Sequence, residues 1–66
     1  MNNKIRVARA EVRMTQQQLA DAADVSRQTI NAIETGKFIP STVLALKIAH
    51  IFGKQVEELF QLEDGD

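Results

Sequence analysis

Apolar positions recur along this chain at three- and four-residue spacings. Ile5, Ala8 and Val12 stand at i, i+3, i+7 and predict a first helix from about Asn3 to Arg13. Gln16, Leu19, Ala20 and Ala23 share one face of a second helix, with Ala20 small enough to let a neighbour approach. Ile30 and Ile33, with Thr29 beside them, gather on one side of a third. Leu44, Ala45, Ile48, Ala49, Ile51 and Phe52 mark the core side of a fourth, ending at Phe52, and Val56, Leu59 and Phe60 form the apolar stripe of a short fifth. Thr15, Ser26 and Ser41 each precede a predicted helix, where a hydroxyl accepts an orphan N–H of the first turn. Gly36 suits the left-handed residue that ends the third helix, Pro40 blocks continuation past Phe38-Ile39-Pro40, and Gly53 ends the fourth. Lys54 stands where a Ser or Thr would open the fifth. Unable to accept an N–H, it leaves that helix to Glu57 and Glu58 near its dipole and to burial of Leu59 and Phe60. The expectation is an all-α, five-helix domain spanning residues 1–66, with an acidic tail at about 63–66 that frays.

Only Asp24 and Val25 separate the second helix from the Ser26 cap, and helices joined so closely cross steeply, as in a helix-turn-helix over about residues 16–35. Asp24 occupies a turn that often needs a left-handed backbone, which Asp tolerates better than most residues. On the third helix, the side opposite Ile30 and Ile33 is centred on Gln28, Asn31 and Thr35 and flanked by Arg27 and Ala32. Those side chains suit base edges: Gln and Asn grip adenine through two hydrogen bonds, Arg grips guanine, and an Ala methyl meets a thymine methyl. A polar outer face is also what most solvated surface helices show, so the face alone does not establish an interface.

Charge weighs against nucleic acid at first sight, since eight basic and nine acidic residues give a net charge of −1. Its distribution changes the picture. Residues 1–40 hold six basic against four acidic residues, and residues 41–66 hold two against five, so the half with the polar helix is basic and the closing half acidic. A 66-residue chain without cysteine has one small core and neither a disulfide framework nor a thiolate zinc site. No apolar run approaches the roughly 20 residues of a membrane span, and no signal-peptide core stands at the N-terminus, so a cytoplasmic protein is expected.

Taken together, Thr15-Gln16, Leu19-Ala20, Val25-Ser26-Arg27-Gln28-Thr29-Ile30 and Ile33-Glu34-Thr35-Gly36-Lys37 resemble the Cro/C1-type (XRE-like) helix-turn-helix regulators. Pro40-Ser41, Leu44 to Ala49 and Glu57 to Phe60 extend the resemblance over nearly the whole chain, toward the compact single-domain members that act as homodimeric repressors. The resemblance implies a lambda-repressor-like fold and a partner in double-stranded DNA, read in the major groove at a palindromic operator. It implies base reading by Arg27, Gln28, Asn31 and Ala32, and phosphate contacts from Gln16, Thr29, Thr35 and Lys37, with Gln16 also bracing the recognition helix. Arg9 and Glu34 resemble a structural pair tying the first helix to the end of the third. Alternative readings are independent surface charges for that pair, and solvated side chains for Gln16 and Lys37.

The fourth helix is apolar around too much of its circumference for a monomer. Val43 and Leu46 flank a narrow Lys47–His50 stripe, and with Phe60 and Leu62 they are the expected dimer interface, Phe60-Gln61-Leu62 serving either as an extended pair across the axis or as an apolar clasp. Catalysis finds no material: His50 is the only histidine, Glu57 and Glu58 are adjacent and diverge, and the three glycines form no phosphate loop. No cofactor, metal or small-molecule effector is expected. Two further readings stand beside a DNA-binding repressor: an antitoxin that represses its own operon, and a helical interaction module without DNA binding.

Overall fold

The computed structural model describes all 66 residues. Five helices follow one another, α1 (Ile5–Glu11), α2 (Gln16–Ala23), α3 (Arg27–Glu34), α4 (Thr42–Phe52) and α5 (Val56–Leu59), flanked by two-residue strands β1 (Asn2–Asn3) and β2 (Phe60–Gln61). The expected all-α, five-helix architecture is the observed one. Its centre is built from Ile5, Leu19, Ile30, Ile33, Ile48 and Leu59, so every helix commits at least one large side chain to full burial, each contributing about 1.5–3 kcal/mol. Ala20 and Ala23 are also buried and let α3 lie close on α2.

The three hydroxyl caps form as expected. Thr15, Ser26 and Ser41 accept N–H bonds from Gln18, Thr29 and Leu44 at 3.0, 3.1 and 3.2 Å, and Gln18 returns the bond by accepting the Thr15 N–H at 2.9 Å. Gly53 closes α4 in the left-handed conformation, at φ 63°. Between α2 and α3, Asp24 adopts the left-handed conformation the turn requires, at φ 60° and ψ 46°.

Both ends of the chain depart from the expectation. Residues Asn2 and Asn3 are not helical but pair antiparallel with Gln61 and Phe60, and the Lys4 N–H donates to the Leu59 carbonyl at 2.8 Å. That pairing shortens α1 and makes Phe60 extended rather than the last turn of α5. At the other end of α1, Arg13 takes a left-handed backbone at φ 55° and Met14 packs on the core, so Val12 is exposed rather than inward. The cap of α5 is Gln55, not Lys54: the Glu58 carboxylate accepts the Gln55 N–H at 2.9 Å, while the Lys54 N–H closes α4 on the Ala49 carbonyl. The tail folds back instead of fraying, because the β1–β2 pairing brings the Met1 amino group within 3.0 Å of Asp66.

A left-handed backbone costs an L-residue about 1–2 kcal/mol that glycine does not incur. Asp24→Gly is expected to raise stability by about 0.5–1 kcal/mol and Asp24→Val to lower it by a similar amount or more. Chemical denaturation of the two variants beside the parent checks the sign of each.

Candidate nucleic-acid interface

The sequence from Ser26 to Lys37 folds into a helix held at both ends. Ser26 caps its start and shares a 2.9 Å hydroxyl contact with Thr29, leaving Thr29 half-buried at the rim. At the far end Gly36 is left-handed, its N–H donates to the Ile33 carbonyl at 3.1 Å, and the Lys37 N–H donates to the Ala32 carbonyl at 2.9 Å. These two bonds satisfy carbonyls that a frayed end would leave open. Between the caps Ile30 and Ile33 are buried, Arg27, Gln28 and Asn31 stand exposed on the opposite side, and Ala32 is half-buried beside them. Three of the four expected base-reading side chains therefore share an open polar face, and Ala32 lies at its edge.

Behind that face sits a carboxylate taken almost wholly out of water. The Glu34 side chain is 1% exposed. Arg9 grips it with two donors, Nε to Oε2 at 2.7 Å and Nη2 to Oε1 at 3.1 Å, and Arg9 Nη1 donates to the Met14 carbonyl at 2.8 Å. Gln16 Nε2 and Arg6 Nε also donate to Oε1, at 3.2 and 3.4 Å. Burial pushes the Glu34 carboxyl upward, but the hydrogen bonds from Arg9 and Gln16 and the nearby positive charge outweigh it and hold the group below its ordinary value of 4.5. The same bonds raise Arg9 above its ordinary value. The Arg9–Glu34 pair is thus a buried, bidentate tie between α1 and the end of α3, not two independent surface charges.

Several of the expected contact residues are engaged within the protein. Gln16 braces α3: its Nε2 donates to Glu34 and to Asn31 Oδ1, each at 3.2 Å. At the start of α2 the Thr15 and Gln18 N–H are satisfied within the capping box. The Thr35 hydroxyl donates to the Asn31 and Ala32 carbonyls at 2.9 and 3.3 Å, so in this structure its proton serves the helix end. Lys37 is exposed just past that end. On the other side of the molecule Val43 and Leu46 are exposed on α4 and Leu62 is 82% exposed, whereas Phe60 is 8% exposed and belongs to the monomer's own core. Phe60 and Gln61 pair with Asn3 and Asn2 of the same chain, so this pairing does not cross a dimer axis.

Two contributors escape local patterns. Asn3 Nδ2 donates to the Ile33 carbonyl at 2.8 Å, a second tie on the end of α3, and Arg6 joins the Glu34 cluster. Asn3 read as a helix start gives no hint of a bond thirty positions away. For Arg6 a signal exists: it lies three residues before Arg9, on the same helix face.

Comparison with known proteins places this geometry in context. The helix-turn-helix family model matches residues 5–59. An uncharacterized HTH-type transcriptional regulator of Methanocaldococcus jannaschii is 50% identical over 66 residues, covering 100% of both chains. One of Bacillus subtilis is 42% identical over 97% of each chain, and one of Archaeoglobus fulgidus is 45% identical over 97% of this chain and 91% of its own.

Removing one partner of a buried pair strands the other's charge, at a cost of about 3–5 kcal/mol. Arg9→Ala and Glu34→Ala are each expected to destabilise by about 3 kcal/mol, with a coupling of about 1–3 kcal/mol in a double-mutant cycle; zero coupling removes the pair from the fold's support. A carboxyl held low in the folded state stabilises above its unfolded value and loses that contribution as pH falls through the folded value. The parent should therefore lose stability steeply as pH drops below about 4.5, and Glu34→Gln should flatten that part of a stability–pH curve.

Proposed function

The chain belongs to the Cro/C1-type helix-turn-helix family of transcriptional regulators, and from that premise we propose that it binds DNA sequence-specifically as a homodimeric repressor at an inverted repeat. The observation that carries this reading is the outer face of α3: Arg27, Gln28 and Asn31 are exposed together on a helix whose ends and back are fixed by the fold. Seated in the major groove, that face meets base edges while Lys37 and the start of α2 meet the phosphates on either side. The role is one of binding, not catalysis. Repression follows from occupancy, since a domain seated on a promoter excludes a polymerase from the same base pairs.

Pairing of two copies is supported by the apolar surface that the monomer leaves wet. Ile39, Val43, Leu46 and Leu62 are all exposed, and Ile39 and Leu46 border a hollow of about 210 Å³ floored by Pro40, Ala45, Val56 and the edge of Phe60. A two-fold contact through this face covers it and sets two recognition helices about 34 Å apart, matching half-sites roughly 10 base pairs centre to centre. No helix is long and apolar enough to cross a membrane, and the proposed role puts the protein in the cytoplasm with the DNA.

Selection from random-sequence duplexes tests the reading, an inverted repeat being the expected product and failure to enrich any site its refutation. On the selected site Gln28→Ala should cost about 1–3 kcal/mol and relax preference mainly at one base pair per half-site. Lys37→Ala should instead weaken all sequences together and lower the salt slope by about one phosphate contact. Leu46→Glu should leave the monomer folded, abolish sedimentation as a dimer and remove tight binding to the repeat. A parent protein that sediments as a monomer at micromolar concentration, with undiminished affinity for one half-site, sinks the dimer.

A further inference from the structure

Gln28 and Asn31 carry similar amides on the same face, yet they stand in different chemical situations. Gln28 has no hydrogen bond to the protein and turns its amide freely. Asn31 is the last member of a chain of hydrogen bonds that begins at a buried charge. Gln16 lies between two groups of fixed sense: the Glu34 carboxylate only accepts, and the Arg27 guanidinium only donates. Its amide therefore has one allowed orientation, with Nε2 on Glu34 Oε1 at 3.2 Å and Oε1 receiving Arg27 Nη1 at 3.4 Å. The second Nε2 proton points at Asn31 at 3.2 Å, and only the oxygen of the Asn31 amide can receive it. Reversing the Asn31 amide would set two N–H donors against each other. Asn31 Nδ2, with both its protons, is left without a bond to the protein.

We infer that Asn31 determines specificity with a fixed hydrogen-bonding sense: Gln16, oriented by Glu34, holds the Asn31 oxygen turned toward α2, so the amide presents DNA with its two N–H donors and selects guanine over adenine. Guanine presents two acceptors in the major groove, O6 and N7, whereas adenine presents only N7 beside a donor at N6 that opposes a second N–H. This departs from the unconstrained expectation for asparagine, which grips adenine through both halves of its amide. Gln16 acts here as a positioning residue. The inference rests on the proposed function and names the base that one residue of that face reads.

The test begins with sites selected from random duplexes by the parent protein and by Asn31→Ala; the base pair at which preference relaxes is the one Asn31 reads, and guanine is expected there. Replacing that guanine with 7-deazaguanine, which lacks the N7 acceptor, should weaken the parent at least about fivefold and leave Asn31→Ala unchanged. Gln16→Met, which fills the same space without donating, should free the Asn31 amide and bring adenine at that position to within about threefold of guanine. Should Gln16→Met prove unfolded by circular dichroism, the analogue measurement on the parent decides alone. A base other than guanine at the Asn31 position overturns the inference while leaving DNA binding intact, most directly an adenine whose loss of N6 weakens the parent. So does an Asn31→Ala motif identical to the parent's. Failure of the parent to select any site overturns the proposed function, and this inference with it.

Discussion

One buried carboxylate sets the pose of the helix on which the proposed DNA contacts depend. Taking the Glu34 charge out of water is costly unless its oxygens are fully engaged, and they are engaged by Arg6 and Arg9 of α1 and Gln16 of α2. Arg9 in turn holds the Met14 carbonyl in the segment between α1 and α2. A bond set of this kind has one satisfactory geometry, so it fixes three helices relative to one another. Apolar side chains of the same volume would bury as well without specifying an angle. The value of the cluster is therefore directional more than it is a net gain in stability.

A helix of eight residues is far too short to persist alone in water, so α3 owes its form to what surrounds it. Ile30 and Ile33 anchor its back, Ser26 and Gly36 close its ends, and Asn3 donates to the Ile33 carbonyl one residue before Glu34. Asn3 itself is held by the short ribbon with Phe60, which joins the start of the chain to the end of α5. Support for the polar face thus reaches back through the whole domain, while the face itself makes few internal bonds. Arg27 and Asn31 are tethered through Gln16, and Gln28 is not tethered at all.

What could be read in the sequence was what is decided locally. The caps at Thr15, Ser26 and Ser41, the stops at Gly36 and Gly53 and the left-handed Asp24 depend on residues within one turn, and each stands where the pattern put it. The open face of α3 was legible for the same reason, since a helical wheel needs only the helix. Long-range pairing was not legible: the β1–β2 ribbon, which makes Phe60 extended rather than helical, and the Asn3 bond to Ile33 join residues thirty to sixty positions apart. Val12 misled because a perfect i, i+7 spacing cannot announce that Arg13 will turn left-handed and end the face one residue early. The internal bonds of Gln16 and Thr35 were not legible either, because their acceptors lie on a neighbouring helix or depend on how α3 ends.

The charge balance and the hydrogen-bond architecture bear on each other. With a net charge of −1, Arg6 and Arg9 both held on Glu34 and Lys54 lying 4.0 Å from Glu11, five basic side chains in each copy, Lys4, Arg13, Arg27, Lys37 and Lys47, remain outside ion pairs. In the proposed function, counterion release, which gives most DNA-binding proteins their indiscriminate affinity, is limited to those side chains, at a random site as at the right one. Affinity under those conditions has to come from contacts that are directional and already in place before binding. A side chain held in its reading orientation loses less conformational freedom on contact than one that must be ordered, so preorganisation of Arg27 and Asn31 through Gln16 compensates in part for the missing charge. The same tether makes a mismatched base more costly, because a fixed amide cannot turn to accommodate it. If the proposed function holds, an arrangement that commits Arg6 and Arg9 to building the reading helix gives up some general attraction to DNA in favour of discrimination among sequences.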